Sequence, residues 1–186
     1  MKSHRLHNIL GEQKDQFLIL CDENGKPTGQ ASREDCHVGE GKRHLAFMAY
    51  IYDADGRMIF ARRGMKKTLW PGFWDAAVVS HVLKGETPES AALRRGKEEL
   101  GVDVTFKIVG SFPYHANYDN RSENEYCYVL VGKTNDLAVA NPVEISEIDF
   151  IDRDNLDRWI KDNKDQLPPW FQIAWRQFSK QITNNR

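Results

Sequence analysis

The feature that most constrains the fold of this chain is a helix with clear ends between Thr87 and Gly101. Thr87 is a favourable N-cap residue, because its hydroxyl can accept a hydrogen bond from the first turn, and Pro88 suits the first helical position. Gly101 can adopt the left-handed conformation that ends many helices. Glu98 and Glu99 lie in the last turn. The pattern therefore predicts one helix that carries two adjacent carboxylates.

The remaining elements follow from periodicity and turn residues. Residues 45–52 have apolar or aromatic side chains on both faces of a strand, which predicts a strand that is covered on both faces. Further strands are expected at 17–21, 58–62, 102–109, 125–132 and 147–151, and helices at 155–163 and 169–181. This order predicts a single α+β domain over 17–186, a mixed β-sheet sandwiched between helices (α/β/α), after a tail at 1–16.

Composition narrows the choice of partners. With a net charge of −1 and a pI near 6.6, the chain has no polybasic surface for nucleic acid. The three cysteines show no paired spacing, so neither a disulfide framework nor a cysteine zinc site is expected. The N-terminus lacks the apolar run of a signal peptide, and no segment approaches a membrane span. We therefore expect a cytoplasmic protein without nucleic-acid or membrane partners.

The segment 80–102 carries a second pattern, a series of charged residues in fixed register. The matching positions are Glu86, Arg94, Glu98, Glu99, Gly101 and Val102. This series resembles the Nudix box, in which helical carboxylates hold hard divalent cations that neutralise a diphosphate. Ser80, Arg95 and Gly96 depart from that box, and Arg95 removes one ligand. The alternative is that Arg94 with Glu98 and Arg95 with Glu99 are only surface ion pairs.

The resemblance extends from residue 17 to 178 through His-Leu-Ala-Phe at 44–47, Arg62-Arg63, Lys67, Trp70-Pro71-Gly72 and Trp74. These motifs are similar to type I isopentenyl-diphosphate isomerases. The resemblance implies a metal site formed by His37, His44, His81, Glu123 and Glu125. This donor set suits Mn²⁺ or Zn²⁺ and also admits Mg²⁺. It further implies that Glu99 helps to hold a second Mg²⁺, which arrives with the substrate.

The same resemblance assigns substrate contacts. It implies that Arg33, Arg63 and Lys67 bind the diphosphate, and guanidinium groups are well suited to phosphate oxygens. Tyr114 corresponds to a hydrogen-bonding phenol, and Trp170 to an indole that stabilises a carbocation through its π face. For Arg33, Arg63 and Lys67 the alternative is a solvated basic loop. For Tyr114 and Trp170 it is ordinary packing in the core.

One departure bears directly on the reaction. Isomerisation needs two acid/base groups that face each other across the alkene. The resemblance implies that Glu125 is one of them, but the position of the second, a cysteine, is occupied by Val79. Valine cannot exchange a proton, and Cys36 and Cys127 are the only conceivable thiol substitutes.

Three hypotheses follow for a small-molecule diphosphate ligand. The first choice is a divalent-metal-dependent Nudix hydrolase, with Glu98, Glu99, Glu125 and Tyr114 as catalytic residues and an isoprenyl diphosphate as candidate substrate. The second is an isopentenyl-diphosphate isomerase that uses another proton carrier. The third is a catalytically silent diphosphate-binding paralogue. Either a monomer or a homodimer is expected.

Overall fold

The computed structural model describes residues 15–184. The tail predicted at 1–16 lies outside this part of the chain, apart from its last two residues. Within the described part, nine strands form one mixed sheet. The strands are β1 Phe17–Cys21, β2 Pro27–Ser32, β3 His44–Tyr52, β4 Met58–Arg63, β5 Trp74–Ala76, β6 Val78–His81, β7 Thr105–Tyr118, β8 Arg121–Lys133 and β9 Ile145–Ile151. The α-helices are α1 Arg33–His37, α2 Pro88–Leu100, α3 Leu156–Asp162 and α4 Pro169–Thr183.

Strand β3 is the centre of the sheet. Every one of its residues is buried, as the sequence predicts for a strand that is apolar on both faces. It pairs in parallel with β8 and antiparallel with β1, β4 and β6. Because β3 is surrounded by strands, its first residue lies at the meeting point of β6 and β8.

Helices cover both faces of the sheet. Ala91, Ala92 and Leu100 of α2 pack on one face. Trp170 and Phe171 of α4 pack on the other face, together with part of α3. The predicted α/β/α arrangement is therefore confirmed. No helix among residues 15–184 combines the length and apolar character that a membrane crossing requires.

Helix α2 has the predicted ends. Thr87 Oγ1 accepts a hydrogen bond from the N–H of Ser90 (3.2 Å), and Ser90 Oγ accepts one from the N–H of Thr87 (2.9 Å). This reciprocal cap satisfies two N–H groups at the start of the helix. Gly101 has a φ of 68° and ends the helix in the left-handed conformation. The cap and the terminator together fix which turn carries Glu98 and Glu99.

The hairpin of β7 and β8 is longer than predicted. Strand β7 begins at Thr105, not at residue 102, and continues past Pro113 to Tyr118. Pro113 is tolerated because β7 is an edge strand that pairs only with β8, so the missing N–H interrupts no second ladder. Strand β8 likewise begins at Arg121, before the predicted start at residue 125. This extension places Glu123 within regular strand structure.

Candidate functional site

Four elements converge where β3 begins. Helix α1 ends at His37, β3 starts at His44, β6 ends at His81, and β8 carries Glu123 and Glu125. The parallel ladder sets His44 directly opposite Glu125. Since Glu123 and Glu125 are two residues apart on one strand, their side chains share a face. The topology thus brings all five predicted ligands together, and we call them the histidine cluster.

The donor atoms of the histidine cluster are close to one another. One ligand atom from each of His37, His44, His81 and Glu123 lies within 4.8 Å of all the others. Oε1 of Glu125 is 3.4 Å from Nε2 of His44 and 3.5 Å from Nε2 of His81. All five residues are buried. Buried imidazole and carboxylate groups at this spacing form a donor set for one divalent cation.

Backbone contacts orient two of the histidines. Nδ1 of His37 lies 2.6 Å from the carbonyl oxygen of Arg33, and Nδ1 of His44 lies 2.8 Å from that of Lys42. A carbonyl only accepts, so Nδ1 carries the proton and the Nε2 lone pair faces the cluster. Nε2 of His37 and Oε2 of Glu123 are buried 3.1 Å apart, and with the proton on Nδ1 of both rings neither these two atoms nor Nε2 of His44 has a hydrogen-bond partner. A bound cation would satisfy all three, so these residues fit a metal.

His81 is held differently. Nη1 of Arg33 lies 3.3 Å from Nδ1 of His81. A guanidinium only donates, so Nδ1 accepts and Nε2 of the neutral ring carries the proton. Binding of a cation at Nε2 would require that this proton shifts to Nδ1, which would end the contact with Arg33.

The charges in the cluster influence each other strongly. Burial opposes ionisation of Glu123, but the neighbouring His37 outweighs it and lowers the pKa of Glu123 to about 2. Burial and the adjacent charge of Glu123 raise the pKa of Glu125 above its ordinary value. Burial and nearby His37 lower the pKa of His44 to about 4. The cluster thus favours one ionised carboxylate and one neutral imidazole, which suits cation binding.

Tyr114 extends the cluster towards an open cavity. Its hydroxyl donates to Oε2 of Glu125 at 2.5 Å, and the two residues are cross-strand neighbours in the β7–β8 ladder. Burial, followed by the charge of Glu125, raises the pKa of Tyr114 well above its usual value. The phenol therefore keeps its proton and holds one carboxylate oxygen in place.

A cavity of about 420 Å³ opens beside the histidine cluster. Among the side chains that line it are His37, His81, Glu123, Glu125, Tyr114, Val79, Trp170, Arg33, Arg63 and Lys67. The cavity thus joins the predicted metal ligands, the three predicted diphosphate-binding side chains and the two predicted aromatic contacts. Val79 lines the same space at the position where the family resemblance leads one to expect a cysteine. Cys36 packs instead with Leu18 and Ala31, and Cys127 lies in the core under α4.

The basic loop after β4 is held in a fixed conformation. The Arg63 guanidinium donates through Nη2 to the carbonyl of Leu69 (2.9 Å) and through Nε to that of Trp70 (3.1 Å). Trp70 has a φ of 45°, a region that non-glycine residues seldom occupy. The Lys67 ammonium contacts the Glu144 carboxylate. Arg63 and Lys67 therefore reach the cavity from an ordered loop.

The last two turns of α2 contain a buried arginine. Nη1 of Arg95 donates to Oε2 of Glu98 (2.6 Å), and Nε donates to Oε1 of Glu99 (2.9 Å). Nη2 of Arg95 lies 3.3 Å from Oε1 of Glu144. Arg95 is only 2% exposed, so its pair with Glu99 is not the surface ion pair considered above. We call Arg95, Glu98, Glu99, Glu144 and Lys67 the arginine cluster.

The other arginine of this helix lies nearer the surface. Arg94 binds Glu86 through Nε at 2.5 Å and lies 3.6 Å from Glu98. The Glu98 side chain is 43% exposed, and Glu98 does not line the large cavity. Glu99 is buried and borders a small space beside that cavity. The two glutamates predicted as a catalytic pair thus have different surroundings.

Two functional candidates were not found in the sequence. The buried carboxylate of Asp75 accepts the indole N–H of Trp170 at 2.9 Å. The carbonyl of Glu144 accepts the N–H of Gly64 at 2.8 Å, and a Cβ at Gly64 would lie 2.9 Å from that oxygen. Asp75 had a sequence signal, because it is a single charge in the otherwise apolar run 73–79. Glu144 had none, since its role depends on residues distant in sequence.

Comparison with known proteins agrees with this architecture. The NUDIX domain pattern matches residues 42–171, which is more than half of the chain. The chain therefore belongs to the Nudix family.

Within that family, the sequence is similar to proteins named isopentenyl-diphosphate Delta-isomerase. The protein of that name from Haloarcula marismortui is 34% identical over 172 residues, covering 89% of this chain and 92% of the relative. The Escherichia coli O6:H1 protein is 32% identical over 158 residues, covering 83% and 87%.

Solved structures show the same fold. The DR0079 protein of Deinococcus radiodurans superimposes with a TM-score of 0.67 at 23% identity, covering 87% of this chain and 98% of that protein. The MutT protein of Methanosarcina mazei gives a TM-score of 0.61 at 17% identity, covering 77% and 96%.

Proposed function

We propose that this protein is a divalent-cation-dependent enzyme that isomerises a short isoprenyl diphosphate by proton transfer. The observation that carries the proposal is the cavity in which Glu125, Tyr114 and Trp170 meet the histidine cluster. The names of the sequence relatives support the same reaction. Hydrolysis, the first choice from the sequence alone, becomes the second candidate, because Arg95 already occupies the carboxylates of α2.

The cation would be held by His37, His44, His81, Glu123 and Glu125, and it would supply positive charge beside the reacting carbons. It would be Mn²⁺, Zn²⁺ or Mg²⁺, as the mixed nitrogen and oxygen donors suggest. Arg33, Arg63 and Lys67 would bind the diphosphate, with a further Mg²⁺ near Glu99. Guanidinium and ammonium groups neutralise phosphate charge at the polar end of the cavity.

The proton chemistry would fall to Glu125 and Tyr114. A proton on the Glu125 carboxyl moves to the terminal alkene carbon, which leaves a positive charge on the inner alkene carbon. A proton from the methylene next to that inner carbon then returns to the same carboxylate. Trp170 stabilises the positive charge between these two steps through its π face. Because Val79 carries no proton, both transfers take place on one face of the substrate.

The decisive experiment incubates the metal-reconstituted protein with isopentenyl or dimethylallyl diphosphate in D₂O. NMR follows the alkene position and the face that gains deuterium, while a phosphate assay follows hydrolysis. We expect interconversion of the two compounds, with addition and removal on the same face. Addition and removal on opposite faces would contradict the one-face mechanism.

Phosphate release with an unmoved alkene would establish the second candidate, hydrolysis. This candidate is favoured by Val79, since water activation needs no second acid/base group across the alkene. Binding without turnover would indicate a silent diphosphate-binding paralogue. As a matched pair of variants, Tyr114→Phe should lower isomerisation, whereas Tyr128→Phe, on the opposite face of the sheet, should leave it unchanged.

A further inference from the structure

Asp75 is a buried carboxylate that has no part in the proposed proton chemistry. It is 2% exposed and stands on the short strand β5. Oδ2 accepts the indole N–H of Trp170 at 2.9 Å and lies 3.4 Å from Nη1 of Arg63. Oδ1 accepts the N–H of Ala76 at 2.8 Å. A buried charge is expensive unless donors surround it, and here the main donors are two residues that line the cavity.

The two partners have different roles in the proposed function. Arg63, the last residue of β4, is proposed to bind the diphosphate, and Trp170 is proposed to contact the hydrocarbon. The Arg63 guanidinium carbon lies 5.2 Å from the centre of the Trp170 ring. Trp70 packs edge-on against the same ring, with the ring centres 4.9 Å apart, and Tyr114 packs against it at a tilt, with the ring centres 5.9 Å apart. Asp75 is the one acceptor in these contacts that bonds to both Arg63 and Trp170.

The side chains that follow Asp75 in the chain cannot replace it as the acceptor for Arg63 and Trp170. Its neighbours in the β5–β6 segment are apolar, from Ala76 to Val79. Glu99 and Glu144 border the same small space, but their described contacts are with Arg95 and Lys67. An alanine or asparagine at position 75 would therefore leave the indole N–H or the guanidinium without a charged acceptor.

We propose that Asp75 is a positioning residue, which sets the ring plane of Trp170 and the orientation of Arg63 with a single carboxylate. Both positions of the carboxylate accept: Oδ2 faces Trp170 and Arg63, and Oδ1 faces the N–H of Ala76. In an asparagine the charge is lost and one of these two positions becomes an NH₂ group, which only donates. The two ends of the cavity are thus aligned with respect to each other. The identity of the substrate in this inference rests on the proposed function, but the alignment of the two side chains does not.

The test uses Asp75→Asn in the full-length, metal-reconstituted protein. In a ¹H–¹⁵N spectrum, the Trp170 indole signal is identified by its loss in Trp170→Phe. We expect this signal to move upfield in Asp75→Asn, because the charged acceptor is gone. Binding of inorganic pyrophosphate with Mg²⁺, measured by calorimetry, should weaken about tenfold through the loss of Arg63 orientation. Turnover should fall roughly 10- to 100-fold through misplacement of the ring.

Asp53→Asn is the matched control. Asp53 is also a buried aspartate, with 7% exposure, and it pairs with Arg57 at 2.7 Å. It lies in the turn after β3 and does not line the cavity. We expect this variant to leave the Trp170 signal, pyrophosphate binding and turnover unchanged.

The double variant Asp75→Asn/Trp170→Phe separates positioning from a general loss of structure. If Asp75 acts on turnover through the indole, its substitution should have much less effect on kcat in the Trp170→Phe background. Equal effects on kcat in both backgrounds, or an unmoved indole signal in folded Asp75→Asn, would overturn the proposal. If the native protein turns over no isoprenyl diphosphate, yet Asp75→Asn moves the signal and weakens pyrophosphate binding, the proposed function fails and the positioning role stands.

Discussion

The histidine cluster and the arginine cluster hold their carboxylates in opposite ways. In the histidine cluster, Nε2 of His37 lies 3.1 Å from Oε2 of Glu123 and Nε2 of His44 lies 3.4 Å from Oε1 of Glu125, but with Nδ1 protonated neither nitrogen can donate to the carboxylate. In the arginine cluster, Arg95 donates to Glu98 and Glu99 at 2.9 Å or less. A cation from solution would complete the first arrangement, whereas the second already contains a cation, the guanidinium of Arg95.

This difference shows how the residue at position 95 decides what the carboxylates of α2 can bind. A glutamate at position 95 would add a third carboxylate beside Glu98 and Glu99 in the last turns of α2 and favour Mg²⁺ there. The guanidinium of Arg95 instead balances the buried charges of Glu99 and Glu144 without any metal. We therefore expect a resident cation only at the histidine cluster, where the strands meet, and Mg²⁺ near Glu99 only together with the diphosphate.

The largest expected effect comes from breaking the histidine cluster. Glu125→Gln removes a metal ligand and the proposed proton carrier while it keeps the side-chain shape. We expect turnover to fall by about three orders of magnitude or more. Steady-state kinetics and metal analysis test this, with Glu147→Gln on the surface as the control. A Glu125→Gln protein with native turnover would remove Glu125 from the reaction.

Substitutions in the arginine cluster should change the free energy of unfolding and leave the amount of bound metal unchanged. Arg95→Met leaves buried carboxylates without their counter-ion, which typically costs about 3–5 kcal/mol. Urea unfolding should show this loss, and Mg²⁺ should recover part of it in Arg95→Met. Arg94→Met, which removes a more exposed pair, should cost no more than about 1 kcal/mol. Equal losses in the two variants would show that burial of Arg95 has no energetic consequence.

The pH dependence of stability tests whether the Arg63 guanidinium fully compensates the cost of burying the ionised Asp75 carboxylate. Burial raises its pKa from 3.8 to about 6, although Arg63 acts in the opposite direction. The folded state therefore binds this proton more tightly, and stability should decrease as pH rises from about 4 to about 6. The decrease should approach about 3 kcal/mol relative to Asp75→Asn. Urea unfolding of both proteins across this pH range measures it, and parallel stability curves would contradict it.

Metal removal should give the smallest of these effects. A ligand that binds only the folded state at a hundred times its dissociation constant contributes about 2.7 kcal/mol. We expect a chelator to lower the stability of the native protein by this order and to have little effect on His44→Ala. Thermal unfolding with and without chelator provides the measurement. An equal response of both proteins would place the stabilising metal elsewhere.

The sequence predicted the elements whose signals are local. Thr87, Pro88 and Gly101 fix α2, and the apolar residues of β3 predict a central strand. Strand β7 was misjudged at its far end because Pro113 normally argues against a strand, and only the edge position explains why it is tolerated. Helix α1 was not predicted, since its five residues are too few for periodicity.

The residues of the candidate site also differ in how far the sequence could predict them. The resemblance to the isomerase family named the five residues of the histidine cluster, and the structure brings them together. The roles of Asp75 and Glu144 depend on Trp170, Lys67 and Arg95, which lie far away in sequence. Local sequence cannot show that such a carboxylate will be buried against a particular cation, because only tertiary packing decides its partner.

The parallel pairing of β3 with β8 has a consequence for the order of folding events. His44 and Glu125 meet only after the chain between them has closed a long loop, and such non-local contacts form slowly. The histidine cluster is therefore assembled when the central sheet is complete. A metal that binds there cannot guide the early collapse, but it can hold the finished sheet together. It should slow unfolding while leaving the rate of refolding almost unchanged.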